Sequence, residues 1–219
     1  QNHVLQMMAL TCMEAPLMLN GDYVREEKAR VLKAVQIEEA LLGQYEGYTS
    51  ESGVDKNSNT ETFAALKLHI NNQRWKNVPI FLKSGKELTE KLTNIHIIFK
   101  KAECRLNICP KESNVLTIRV QPNEGFELNL FAKSPGQQDL TIPVKMDFCH
   151  SCVTRQKSPE AYEVLLFDVI KGDQALFVRN DEIEYAWKII DSVKKEKAYY
   201  YKKGSVYFGN TKTEIGAGK

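Results

Sequence analysis

From residue 62 to residue 148, runs of apolar and polar side chains alternating with a period of two follow one another, with no helical stretch between them. Leu66, Leu68 and Ile70 alternate with Lys67, His69 and Asn71, and similar runs follow in "VPIFLKS", "NIHIIFK", "NVLTIRVQ", "GFELNLFAK" and "DLTIPVKMDF". A period of two places apolar residues on one face of a strand. Parallel neighbours need a crossover of a dozen or more residues, usually a helix, so strands following one another directly predict an antiparallel sheet.

Helical patterns flank this block. Residues 2–15 are apolar nearly all round and predict a buried helix ended by Pro16. "NGDYVREEKARVLKAV" predicts a second, with Asp22 as cap and Val24, Val31, Leu32 and Val35 on one face. The polar stretch 50–61 reads as a long surface loop. Ser158-Pro159 starts another helix, with Tyr162, Leu165, Leu166 and Val169 facing inward. Asn180 caps the last, with Ile183, Ala186, Trp187 and Ile190 facing in, and the basic, aromatic tail reads as a solvated, partly docked terminus. The expected class is α+β: one large, mostly antiparallel sheet with helices packed on one face. The other face is a candidate for pairing with a second copy.

The chain has 219 residues, 42% of them hydrophobic and 26% charged, enough for one large domain. A net charge of +2 gives no argument for nucleic acid or membrane partners, and no apolar run approaches the roughly 18 residues of a membrane span. Because "QNHVLQ" has neither an initiator Met nor a leader, the chain reads as a fragment. An odd cysteine count (Cys12, Cys104, Cys109, Cys149, Cys152) predicts free thiols in the cytosol. A zinc site joining "CHSC" at 149–152 to Cys104 and Cys109 is the competing reading; C-x4-C is a loose spacing for it, and no metal is expected.

Two features invite chemistry. His3 opens the first helix: a lone histidine among apolar neighbours is usually structural, yet an imidazole with an ordinary pKa of about 6.5 suits proton removal at neutral pH. Lys83 and Lys86 flank Ser84-Gly85, and Lys91 follows five residues later. Such ammonium groups suit a phosphate or sugar hydroxyls, and equally suit a solvated strand edge. No Gly-rich phosphate loop is present. Arg119 and Gln121 lie in "IRVQPNEG" before a Pro-Asn turn, which alone means little.

The blocks "QNHVLQMMAL", "LLGQYEGY", "NTETFAALKLHINNQRWKNVPIFLKSGKEL", "IRVQPNEGF", "FAKSPG" and "EAYEVLLFDVIKGDQALFVRNDEIEYAWKII" resemble glucose-6-phosphate dehydrogenase, in the family's order and from residue 1 to about 192. The resemblance implies that residues 1–219 are its C-terminal substrate-binding and dimerisation domain, with 1–19 part of the catalytic helix and 200–219 a tail. The family's NADP fingerprint and "HYLGK" motif are absent from the chain. The family oxidises glucose 6-phosphate to 6-phosphogluconolactone, with NADP as hydride acceptor, in the pentose phosphate pathway. By that resemblance His3 is the catalytic base, and Lys86, Lys91 and Gln121 match substrate-contacting positions. Lys83 and Arg119 match positions of a second, structural NADP. Leu92, Glu127 and Asn129 replace basic or aromatic residues there, so that site is expected to be absent or much weakened. The resemblance further implies NADP bound mainly by an N-terminal domain, a homodimer through the sheet, and a cytoplasmic location. The isolated chain is expected to be inactive. The alternative is a non-catalytic sugar-phosphate-binding or dimerisation module.

Overall fold

The computed structural model describes residues 2–101, 110, 112–136, 140–154, 161–193 and 199–205. Cys104, Cys109, the Ser158-Pro159 helix start and the tail beyond 205 lie outside the described residues. The chain divides into two compact units, residues 1–89 with 161–219, and residues 90–160. The α+β class holds, with the strands hydrogen-bonded in two four-stranded sheets where the sequence suggests one large one.

In the first unit, α1 (His3–Cys12) and α2 (Gly21–Ala34) precede β1 (Val35–Tyr45), β2 (Phe63–Ile70) and β3 (Ile80–Gly85). The sheet is ordered β3-β2-β1-β8, where β8 (Tyr199–Tyr201) comes from the far end of the chain and runs parallel to β1. Leu66, Leu68 and Ile70 of β2 join Leu5, Met8, Ala9 and Cys12 of α1, Val31 and Leu32 of α2, and Ala186 and Ile189 in one core. Phe63 and Ala65, on the opposite face of β2, pack with Tyr45 and Tyr201 in a second, smaller cluster. The period-two reading therefore holds for Leu66, Leu68 and Ile70, while the face expected to be polar is apolar at its Phe63–Ala65 end.

β1 went unnoticed in the sequence. Val35, expected on a helical face, is instead its first residue and pairs with Ile70. Backbone at Val35 turns extended (ψ 137°) with neither Gly nor Pro to announce the helix end. The cap of α2 is also corrected: Asn20 accepts the Tyr23 N–H at 3.1 Å, while Asp22 pairs with Arg25 at 2.7 Å.

α5 (Asn180–Asp191) is rotated from the expected face. Glu182, Ala186 and Ile189 are buried, while Ile183 and Trp187 are exposed. Asn180 is its first helical residue rather than its cap; Arg179 precedes the helix in extended backbone, and the Glu182 carboxylate accepts the Arg179 N–H at 3.1 Å. The other oxygen of Glu182 meets Lys28 Nζ at 3.0 Å, and both side chains are out of solvent (0% and 3% exposed). Gln6 completes the cluster: its Nε2 donates to Glu182 at 3.2 Å, and its Oε1 accepts from Lys28 at 3.3 Å. One buried ion pair thus ties α1, α2 and α5 together. α4 (Ala161–Lys171) lacks the predicted inward face: Tyr162, Leu166 and Val169 are all exposed.

The second unit holds β4 (Thr93–Ile98), β5 (Val115–Gln121), β6 (Gly125–Lys133), β7 (Thr141–Cys149) and α3 (His150–Thr154), with its sheet ordered β4-β5-β6-β7 and antiparallel throughout. The ladder pairs Ile118 with Phe126, Phe126 with Phe148, and Leu128 with Met146, which gives one apolar face. Phe126, Val144 and Met146 remain exposed on it. On the polar face Arg119, Glu127, Asn129, Lys145 and Asp147 interlock, with Arg119 gripping Asp147 through two N–H donors at 2.7 and 3.1 Å.

Breaking a buried pair from one side strands the other charge, which costs about 3–5 kcal/mol. Glu182→Leu should therefore destabilise the chain by about that amount in urea unfolding, and adding Lys28→Met should recover much of the loss. Equal stability of the single and double variants would show that the pair does not act as a unit.

Candidate active site

α1 is anchored along one side by Leu5, Met8, Ala9 and Cys12, which leaves His3 exposed at its first position. One turn on, the Gln6 N–H donates to Asn2 O at 3.0 Å while its side chain sits in the buried Lys28–Glu182 cluster. The other end of the helix is pinned by the loop before β3. Trp75 Nε1 donates to Cys12 O at 2.7 Å, and Arg74 pairs with Glu14 at 2.7 Å. α1 packs against β3, the strand whose end carries Lys83 and Lys86, so the structure brings the helix of His3 beside the strand of two predicted lysines.

The Lys83–Lys86 step is built for close packing. A Cβ on Gly85 would lie 2.7 Å from the Phe63 ring and 3.0 Å from Leu88, so the backbone reaches its neighbours only because residue 85 has no side chain. Lys83 Nζ lies 5.8 Å from the Phe63 ring centre. Lys86 is held by its main chain: its N–H donates to Thr62 O at 2.9 Å, and its carbonyl accepts from Tyr201 Oη at 2.8 Å. Its side chain is exposed. Sequence reasoning gave Tyr201 no role, because the run Tyr199–Tyr201 looks the same at every position; the structure buries Tyr201 and exposes the other two. Gln6 was missed for a similar reason: a glutamine on a helix carries no sign of a buried partner far along the chain.

In the second unit, Thr93 pairs with Gln121 across β4 and β5. Lys91 stands two residues before Thr93, so Lys91 and Gln121 sit at the same end of that ladder, both exposed. The turn after Gln121 passes through Pro122, by a cis bond, and through Asn123 in the left-handed region (φ 60°). Gly125 then lies against the Phe148 carbonyl so closely that no Cβ fits.

Arg119 is fully engaged within this unit. Besides Asp147, it donates to Phe148 O at 3.0 Å and Asn123 O at 3.2 Å, and Glu127 lies 3.6 Å away. The guanidinium holds the Asp147 carboxyl below its ordinary range, and Lys145, 2.6 Å away, does the same for Glu127. A dinucleotide phosphate arriving on this face would meet two carboxylates and an arginine most of whose donors are already taken.

The cysteine expectation needs correction. Cys149 and Cys152 are joined by a disulfide, because the step from β7 into α3 brings their Cα atoms to 5.2 Å. Cys12 is a buried free thiol whose pKa burial pushes up to about 11. Among the described residues, no helix is long and apolar enough to cross a membrane.

Residues 1–213 match the family model described as "Glucose-6-phosphate dehydrogenase, C-terminal domain". The chain is 41% identical over 208 residues to a glucose-6-phosphate 1-dehydrogenase of Chlamydia trachomatis, covering 86% of this chain and 47% of that protein. It is also 41% identical over 216 residues to the cytoplasmic glucose-6-phosphate 1-dehydrogenase 5 of Arabidopsis thaliana, covering 94% of this chain and 42% of that one. A solved glucose-6-phosphate dehydrogenase in complex with its substrate glucose-6-phosphate superposes with a TM-score of 0.86 at 32% identity, covering 95% of this chain and 47% of that chain. The chain thus spans somewhat under half the length of these relatives. With so complete a match to one part of them, it belongs to the glucose-6-phosphate dehydrogenase family, as that family's C-terminal domain.

Proposed function

We propose that this chain is the substrate-handling part of a glucose-6-phosphate 1-dehydrogenase, which oxidises glucose 6-phosphate to 6-phosphogluconolactone with NADP in the pentose phosphate pathway. The observation that carries this is His3, an exposed imidazole on the first residue of a helix anchored at both ends, in a chain 41% identical to enzymes of that name. His3 takes the proton from the C1 hydroxyl as general base. NADP, held mainly by an N-terminal domain, supplies the acceptor for the C1 hydride. Lys86, Lys91 and Gln121 contact the sugar phosphate. Lysine ammonium groups suit its charge, and the main chain of Lys86 is fixed while its side chain is free to reach an anion. Lys83 and Arg119 do not build a second NADP site; the engagement of Arg119 by Asp147 supports this.

Residues 1–219 act as a substrate-binding and dimerisation domain. The homodimer forms through the sheet, and the exposed Phe126, Val144 and Met146 on an otherwise regular apolar face support that role. The protein works in the cytoplasm, as the names of its plant relatives suggest.

In the full-length enzyme, His3→Asn should keep the KM for glucose 6-phosphate and lower kcat about 10²-fold or more. Near-normal turnover would remove His3 from the chemistry. Lys86→Ala and Lys91→Ala should raise KM more for glucose 6-phosphate than for glucose wherever the ammonium meets the phosphate; equal losses would place that lysine on the hydroxyls. The isolated chain should reduce no NADP in an absorbance assay, because nothing in it positions a nicotinamide against C1, and such positioning is worth several kcal/mol. Light scattering on the same sample should give a dimer mass, and a monomer would remove the sheet face from the interface.

A further inference from the structure

We propose that Cys149 and Cys152 are a reversible dithiol–disulfide couple, exchanging electrons with cellular dithiols at the end of the sheet that carries Lys91 and Gln121. Three observations point there. The two sulfurs are bonded across one strand-to-helix step, between residues only three apart. The β6–β7 ladder runs on from Gly125–Cys149 to Lys133–Thr141, so opening the bridge loosens only its last rung and leaves the rest paired. Their exposure is unequal: Cys152 is exposed and Cys149 is half-buried, so an incoming thiolate meets Cys152 first. Finally, Cys149 Sγ has donors waiting: the Cys152 N–H lies 3.3 Å away and Ser151 Oγ 3.5 Å away. Hydrogen-bond donors on a sulfur stabilise its thiolate and make it the better leaving group.

The exchange follows from that geometry. A thiolate of the reductant attacks Cys152 Sγ, the Cys149–Cys152 bond breaks, and Cys149 departs as a thiolate that takes up a proton. The second thiolate of the reductant then attacks its own sulfur in the mixed disulfide and releases Cys152, which is protonated in turn. Two electrons and two protons enter the protein, and the reductant leaves as its disulfide. Reoxidation runs the same steps backwards.

The couple is wired to the turn after β5. Cys149 pairs with Gly125, and the His150 N–H donates to Glu124 O at 2.9 Å. Arg119 bridges Phe148 O on one side and Asn123 O on the other. Opening the bridge frees the backbone that these bonds hold, and the turn begins at Gln121. The consequence for substrate handling rests on the assignment of Gln121 and Lys91 above; the redox chemistry does not.

The test uses the 219-residue chain in glutathione buffers of stepped ratio, quenched by alkylation and digested with trypsin. Peptide 146–155 contains both sulfurs and no other cysteine. It should pass reversibly between disulfide and doubly alkylated forms under native conditions. In oxidised glutathione, Cys149→Ser should carry several-fold more adduct on Cys152 than Cys152→Ser carries on Cys149. A bridge that resists excess dithiothreitol in the folded protein, thiols that stay reduced in oxidised glutathione, or stoichiometric zinc on the thiols would overturn the couple. The reverse order of adduct formation would overturn the attack on Cys152. Hydrogen exchange at Gly125 and His150 should be several-fold faster in the reduced chain than in the oxidised one, with no redox response in the Cys149→Ser/Cys152→Ser double variant. Identical exchange in both states would overturn the wiring. None of these readouts involves turnover, so they stand or fall independently of the dehydrogenase assignment.

Discussion

A lysine and a glutamate withdrawn from water hold together well only when the rest of their hydrogen-bonding capacity is also satisfied, and Lys28 and Glu182 meet that condition through Gln6 and the Arg179 backbone. Each of these groups comes from a different part of the chain. Gln6 belongs to α1, Lys28 to α2, and Glu182 to α5, 176 residues beyond Gln6. An apolar contact there would tolerate a shift by a fraction of a turn. A charge pair with shared hydrogen bonds does not, because any slip leaves a buried polar group unpaired. The cluster therefore sets the register of three helices over one sheet, and with it the height at which α1 presents His3.

The second unit solves a different problem by segregating its two faces. Its apolar residues line up across β4 to β7, while Arg119, Glu127, Asn129, Lys145 and Asp147 share the opposite side. Alternating signs across adjacent strands turn a line of charges into cross-strand support. The same alternation consumes the charge that a phosphate would need. A face that is electrically satisfied within itself is a poor anion site, however many basic residues a sequence motif places there.

How much of this was legible depended on the range of the interaction. β2 to β7 could be read because a two-fold pattern is local and both faces of a strand leave a trace. β1 was not, because "VQIEEALLGQY" mixes both periods and follows a helix with no terminator; pairing of Val35 with Ile70 decides its state. The inward face of α5 was misjudged because a fully buried glutamate looks, in sequence, like a solvent-facing one. α4 misled in the opposite sense, since most of its apolar residues are exposed. For the candidate site, the lysines around Gly85 were visible as a local cluster. His3 became more than a lone imidazole only through its resemblance to a family, because the groups that orient its helix are distant in sequence.

Tyr201 closes the first sheet from far away: its hydroxyl meets the Lys86 carbonyl across 115 positions of chain, and its strand lies parallel beside β1. Contacts of such long sequence separation form late, because the loop between them must be ordered first. On a ribosome the delay is absolute. The backbone around Lys86 emerges, pairs with β2, and then waits for more than a hundred further residues before its last partner exists. A nascent chain halted in that interval can have most of its strands in place, and still carry an uncovered β1 edge and a Lys86 carbonyl without its tyrosine.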